Sequence, residues 1–191
     1  MPEFRLETER LVLRNWRDED WEPFFRHTNT PPVMRWLGGL LDEEAQAKMR
    51  ERLPLVAQEH GHCFWVVERK ADGGHLAGEM LGFCGLKRAN MVGGPMGDFE
   101  VGWRFREDAW GKGYAKEAAI ASIDAGFNRF EALEIIALTI AENAASWGLM
   151  ERLGMHRRPE LDFRCPDFLP EKMTIVYSLD RDEWQGARAV A

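Results

Sequence analysis

Trp110-Gly111-Lys112-Gly113-Tyr114-Ala115, followed by Lys116-Glu117-Ala118-Ala119, decides the reading of this chain. A strand pattern ends just before it, and an alanine-rich helix pattern begins inside it. That order aims a row of backbone N–H groups, backed by a helix N-terminus, at one spot. Such a spot binds phosphate. The stretch therefore predicts a phosphorylated ligand. A P-loop is excluded, because Lys112 is followed by Gly113 and not by Ser or Thr. A dinucleotide fingerprint also fits poorly, since it belongs after an early strand of a βαβ unit with an acidic residue after the next strand. The plain alternative is a tight strand-to-helix turn that binds nothing.

Working outward, Phe99, Val101, Trp103 and Phe105 alternate with Glu100, Gly102 and Arg104, which predicts a strand over 98–105 with one apolar face. Downstream, Ala115, Ala119, Ile123, Phe127 and Phe130 form one helical stripe. A strand over 134–140 follows. Asn143 then opens a helix with Trp147, Met150 and Leu153 inward, stopped by Gly154. Met155–Leu161 and Met173–Leu179 read as final strands. Towards the N-terminus, Leu11–Arg14 is a first strand. Asp18 is placed to cap a helix with Trp21, Phe24 and Phe25, and Asp42 to cap another that Pro54 disturbs. Cys63–Val67 and Leu81–Leu86 complete the strands, and 90–97 is a Gly/Pro-rich loop. The pattern predicts one domain over 1–191, frayed after about residue 184. Its class is α/β, a mixed sheet of about six to seven strands with helices on both faces.

The 191 residues carry a net charge of −7, from 25 basic and 32 acidic side chains, which argues against a nucleic-acid partner. The same charge weakly suits a cationic substrate, and equally an ordinary soluble surface. Cys63, Cys84 and Cys165 have no metal-ligand spacing. Cys63 and Cys84 lie in apolar runs and read as buried free thiols, which fits a reducing compartment. The five His form no ligand set, so no metal is expected. Met1–Arg14 has no apolar core of a leader, and no apolar run reaches the ~20 residues of a membrane span. A cytoplasmic protein away from the membrane is expected.

The chain also resembles a known family, the GNAT superfamily of N-acetyltransferases, and within it the Rim-type branch that includes ribosomal-protein N-terminal acetyltransferases. The resemblance runs through nearly the whole chain. It rests on Leu6-Glu7-Thr8-Glu9-Arg10-Leu11-Val12-Leu13-Arg14, Leu81-Gly82-Phe83-Cys84-Gly85-Leu86 and Phe99-Glu100-Val101-Gly102-Trp103. It continues with Trp110–Ala115, with Asn143-x-x-Ser146 before Leu153-Gly154-Met155, and with Val176-Tyr177-Ser178-Leu179 before Glu183-Trp184. The superfamily's pyrophosphate loop begins with Arg or Gln where this chain has Trp110, a departure shared with the Rim-type branch.

The resemblance implies acetyl-coenzyme A as co-substrate and a primary amine as acceptor, either a protein N-terminus or a small molecule. It implies that the main chain of Trp110, Gly111, Lys112, Gly113, Tyr114 and Ala115 holds the pyrophosphate. The pantetheine arm would lie along Trp103, Arg104 and Phe105, where the strands 98–105 and 134–140 splay, with Asn143 and Ser146 beside it. The amine would attack the thioester directly, with the oxyanion met by a backbone N–H. Glu100 matches an acidic position common in the branch and is the candidate base; a structural pairing with Arg104 is its alternative. Lys112 reads equally as a phosphate contact or a solvated side chain, and Asn143 as a ligand contact or a helix cap. A Tyr acid is absent, because Met150 stands seven residues after Asn143; Ser146 is the alternative acid. That absence keeps open a coenzyme-binding sensor without turnover. A nucleotide-binding enzyme is a third reading. The loop Arg157–Lys172 would border the acceptor, where Asp162, Arg164 and Asp167 read either as substrate contacts or, by default, as solvated surface. A homodimer through a sheet edge fits the pattern, with no interface legible in the sequence.

Overall fold

The computed structural model describes residues 4–189. Strand β1 (Arg5–Glu7) turns into β2 (Leu11–Arg14), then come α1 (Trp21–Thr28), α2 (Pro31–Met34) and α3 (Glu43–His60). Strands β3 (Phe64–Arg69), β4 (Met80–Arg88) and β5 (Phe99–Phe105) follow, then α4 (Tyr114–Asn128), β6 (Glu134–Ile140) and α5 (Ala144–Arg152). Strands β7 (His156–Arg157) and β8 (Thr174–Asp180) precede a last helix, α6 (Arg181–Ala189).

The strands form one open mixed sheet in the order β1-β2-β3-β4-β5-β6-β8-β7. Pairs β1–β2, β2–β3, β3–β4, β6–β8 and β7–β8 are antiparallel, while β5 and β6 are parallel. A parallel neighbour needs a crossover, and α4 supplies it. The parallel register runs through Phe99↔Ile135 and Glu100↔Ile136, whereas β6 pairs with β8 along its whole length, from Glu134↔Asp180 to Ile140↔Thr174.

Two compact units divide the chain. Residues up to Gly85 join Trp103–Ala121 in the first; Leu86–Gly102 join the residues from Ser122 onward in the second. The first unit's core is aromatic: Trp21, Phe24, Phe25, Leu53, Cys63 and Phe83 pack together, with Trp16 stacked on Trp21 at 4.0 Å. Trp65, 2% exposed, stacks on Phe4 and is a core residue. In the second unit Ala89, Ile136, Phe163, Cys165 and Val176 cluster. All three cysteines are buried, and none is in a disulfide among the described residues.

Several sequence expectations are corrected. The sheet has eight strands, because β1 is a three-residue strand paired from Arg5↔Arg14 to Glu7↔Val12, too short to show alternation. The strand expected over 155–161 shrinks to His156–Arg157, and a 3-10 turn takes Pro159–Leu161. Pro159 has no N–H for a ladder and restricts Arg158 before it. Asp18 does not cap α1. Asp20 stands at the N-cap position but makes no side-chain capping bond to the helix; its carboxylate accepts from the Arg17 N–H at 2.7 Å and from Arg14. Asp42 does cap α3, accepting from Ala45 at 2.8 Å, and the helix runs on through Pro54. The tail expected to fray after 184 continues as helix α6 to Ala189. Trp184 Nε1 donates to Asp124 Oδ1 at 2.7 Å, and Arg181 Nε to the Ala132 carbonyl at 2.8 Å, tying down its first turn.

Candidate active site

The glycine stretch joins β5 to α4 through a 3-10 turn at Glu107–Ala109. Trp110 is extended, and its indole Nε1 donates to the Phe105 carbonyl at 3.0 Å, which anchors the start of the loop to the end of β5. Gly111 and Gly113 have φ of +70° and +80°, a left-handed conformation that side chains with Cβ resist. The first N–H groups of α4 follow at once. A Cβ added at Gly111 would meet no atom within 4 Å, so the loop faces open space there.

A clamp on the far side fixes the loop. Glu117, one turn into α4, accepts from Thr8 Oγ1 (2.5 Å), from the Arg10 N–H (2.8 Å) and from Arg10 Nε (2.7 Å). Arg10 Nη1 in turn donates to the Lys112 carbonyl at 3.0 Å, and its guanidinium lies 4.7 Å from the Tyr114 ring centroid. The Tyr114 hydroxyl points inward, donating to the His75 carbonyl at 3.1 Å and accepting from Arg69 Nε at 3.3 Å. Tyr114 thus serves the site through its main chain only. The Lys112 side chain is exposed.

Burial works against the charge of Glu117, but the hydrogen bonds from Thr8 and Arg10 outweigh it and hold the carboxyl below its ordinary 4.5. A depressed folded value stabilises above the unfolded one and is lost as pH falls through the folded one. Glu117→Gln should therefore melt below the parent at pH 7, and the gap should close as pH drops below about 4.3. Melting temperatures across pH 3–7 check this; a gap that does not change with pH would remove the clamp's charge from the account.

Glu100 is 8% exposed on β5. Lys87 Nζ stands 2.9 Å from its Oε2 and also donates to Asn90 Oδ1 at 3.0 Å. The structural partner of Glu100 is therefore Lys87 on β4. Arg104 instead lies among Met34, Met49, Phe24 and Phe83. In the same unit as Glu100, Asn143 precedes α5 with φ −86° and ψ 67°, and its side chain makes no capping hydrogen bond. Its carbonyl accepts from the Ser146 N–H at 3.0 Å. Asn143 and Ser146 are half-buried. Met150 is 1% exposed, a core residue where a Tyr acid would otherwise stand.

The acetyltransferase (GNAT) domain family matches residues 10–156. The uncharacterized protein YkkB of Bacillus subtilis is 33% identical over 153 residues, covering 80% of this chain and 85% of that one. The chain belongs to the GNAT acetyltransferase family. The uncharacterized N-acetyltransferase YnaD of Bacillus subtilis is 27% identical over 190 residues, covering 93% of this chain and 97% of YnaD. Among solved structures, an acetyltransferase from Agrobacterium tumefaciens shares the fold with a TM-score of 0.77 at 23% identity, covering 93% of this chain and 95% of that one.

This GNAT chain is thus an acetyltransferase, and GNAT domains use acetyl-coenzyme A as co-substrate. The residues present fit that molecule: two left-handed glycines, open space beside Gly111, and helix N–H groups directly after them. The structure gathers Trp103, Arg104, Phe105 and Trp110–Ala115 in the first unit, and Glu100, Asn143 and Ser146 in the second. Of the residues expected to border the acceptor, Asp162 accepts from Arg157 and from the Val176 N–H of β8, and Arg164 donates to the Glu171 carbonyl at 2.8 Å. Asp167 is exposed. Sequence reading missed Thr8, Arg10, Glu117 and Lys87. Arg10 lies inside one quoted motif and Glu117 beside another, and their complementary charges were the available signal. Among the described residues no helix is long and apolar enough to cross a membrane.

Proposed function

We propose that this acetyltransferase moves the acetyl group of acetyl-coenzyme A to a primary amine in a ternary complex, by direct attack of the amine. The observation that carries this reading is the loop Gly111–Gly113, left-handed at both glycines and locked by Arg10 and Glu117 at the start of α4. Acetyl-coenzyme A supplies the activated acyl group when bound. The N–H groups of Gly111 to Ala115 hold its pyrophosphate, and the main chain of Trp103 to Phe105 receives the pantetheine arm. Asn143, whose side chain is not used as a cap, adds a contact. Glu100 takes the proton of the incoming ammonium, with Lys87 as its counter-charge. Ser146 is the residue left for returning a proton to the leaving thiol. The quoted motifs favour the Rim-type branch, and with it a peptide or protein α-amine alongside small amines.

A second reading, a coenzyme-binding sensor without turnover, draws on the buried Met150 where a Tyr acid would stand. A thiol is acidic enough to leave with little help, so turnover remains the better reading. The test is thermal unfolding with acetyl-coenzyme A, with ATP and NAD as controls, followed by thiol release over an amine panel. A ligand at about 100 times its dissociation constant stabilises by about 2.7 kcal/mol, or about 5–11 °C at about 2–4 °C per kcal/mol. A shift with acetyl-coenzyme A alone and thiol release with an amine are expected. A shift without release over the panel would favour the sensor, and no shift would remove the coenzyme site.

A further inference from the structure

Three arginines of the first unit are buried and neutralised. Arg14 forks onto Asp20 at 2.7 and 2.8 Å and reaches Glu68 at 3.0 Å. Arg106 forks onto Asp108 at 2.6 and 2.8 Å and meets Glu79. Arg69 meets Asp72 at 2.8 Å. A guanidinium is rarely withdrawn from water without such a partner.

Arg104 breaks the pattern. Its Nε is closed to water and has no hydrogen-bond partner among the described residues. Nη1 and Nη2 reach only thioether sulfurs, Met34 Sδ at 3.5 Å and Met49 Sδ at 3.7 Å. Thioethers are weak acceptors. Cζ stands 5.2 Å from the ring centroids of both Phe24 and Phe83. Among the described residues no carboxylate pairs with it. Burial alone drives the guanidinium down to about 10. The walls are apolar: Phe24 and Met34 are at most 1% exposed and Phe83 is 6% exposed. A positive fork in such a setting lacks a planar, two-oxygen anion, the geometry a carboxylate offers.

We propose that the Arg104 side chain receives the carboxylate of the acceptor, so that the preferred substrates are small amines that carry a carboxylate, such as amino acids. This rests on the acetyl-transfer reading, in which the main chain of the same strand holds the coenzyme arm. The aromatic faces and sulfurs position the guanidinium, and the acceptor's anion supplies the charge the fold leaves out. The transfer balances simply. A C–N bond forms and the C–S bond breaks. One amine proton ends on the thiol, and an ammonium's extra proton leaves through the base to water.

The test compares amino acids with their amides, alongside an aminoalkyl phosphate and an aminoalkyl sulfonate, on the parent, Arg104→Met and Arg104→Lys. Thiol release gives kcat/KM. Tryptophan fluorescence titration with the same compounds gives binding without turnover, and the acetyl-coenzyme A melting shift shows that each variant is folded. The parent should prefer acid over amide by about 30-fold, the scale of a hydrogen bond to a charged group. Arg104→Met should abolish that preference, and Arg104→Lys should keep part of it. An equal acid-to-amide ratio in parent and Arg104→Met overturns the proposal, as does an Arg104 dependence confined to the phosphate or sulfonate. If no amine is acetylated, the acetyl-transfer reading fails by itself. The fluorescence titration then still decides whether Arg104 binds carboxylates.

Discussion

Glu100→Gln is expected to lower turnover by about 10²–10³-fold at pH 7 while acetyl-coenzyme A still raises the melting temperature as in the parent. A primary amine is almost wholly ammonium at neutral pH and has no lone pair until a base takes its proton. Glu100 is the buried carboxylate on the strand proposed to carry the coenzyme arm, charge-balanced by Lys87 at 2.9 Å. Glutamine keeps the shape and still offers an oxygen to Lys87, but it cannot accept the proton. Alanine is a poorer probe. It would leave the half-buried Lys87 ammonium without its carboxylate, which mixes folding with chemistry. Raising the pH to about 9, where more amine is neutral in solution, should restore part of the lost rate. Turnover within twofold of the parent at pH 7 would sink the role of Glu100 as base.

The fold was legible where it rests on local pattern. Alternation marks β5 nearly to the residue, and the apolar run over 134–140 is β6 itself. The glycine stretch lies between strand and helix as expected. What stayed hidden depends on residues far apart in the chain. Thr8 and Arg10 meet Glu117 across 109 and 107 positions, and no periodicity announces such a pair. Lys87 sits opposite Glu100 because a hairpin folds there, with Ala89 bonded to Asp98 at 2.8 Å. Alternation inside β5 alone suggested Arg104 instead. Short elements were lost for another reason. β1 has three residues and β7 two, too few for an alternating pattern to stand out. Asp20, not Asp18, stands at the start of α1, and its carboxylate is committed to Arg14 in a buried pair that a capping rule does not weigh.

Gly82→Ala should be the most damaging single-methyl change in the first unit. Gly82 has φ +140°, beyond the ordinary range of an L side chain. An added Cβ would fall 2.0 Å from the Arg104 carbonyl oxygen and 2.9 Å from the Phe105 Cα. Both are main-chain atoms, so no rotamer change relieves the clash, and β4 must move away from β5. The register leaves little slack: Gly82 pairs with Val67 and Met80 with Glu68, the shift between them forming a bulge. The expected loss is about 3 kcal/mol or more, read in urea unfolding, with a fall of about 6–12 °C in Tm. The displaced segment is the one proposed to hold the coenzyme arm, so KM for acetyl-coenzyme A should rise as well. Gly111→Ala is the control. Its φ is also left-handed, but a Cβ there meets nothing, so only the conformational cost of about 1–2 kcal/mol applies. A Gly82→Ala protein as stable as Gly111→Ala would mean that β4 and β5 do not approach at Arg104 as closely as described, and with that approach would go the apolar setting of the Arg104 guanidinium.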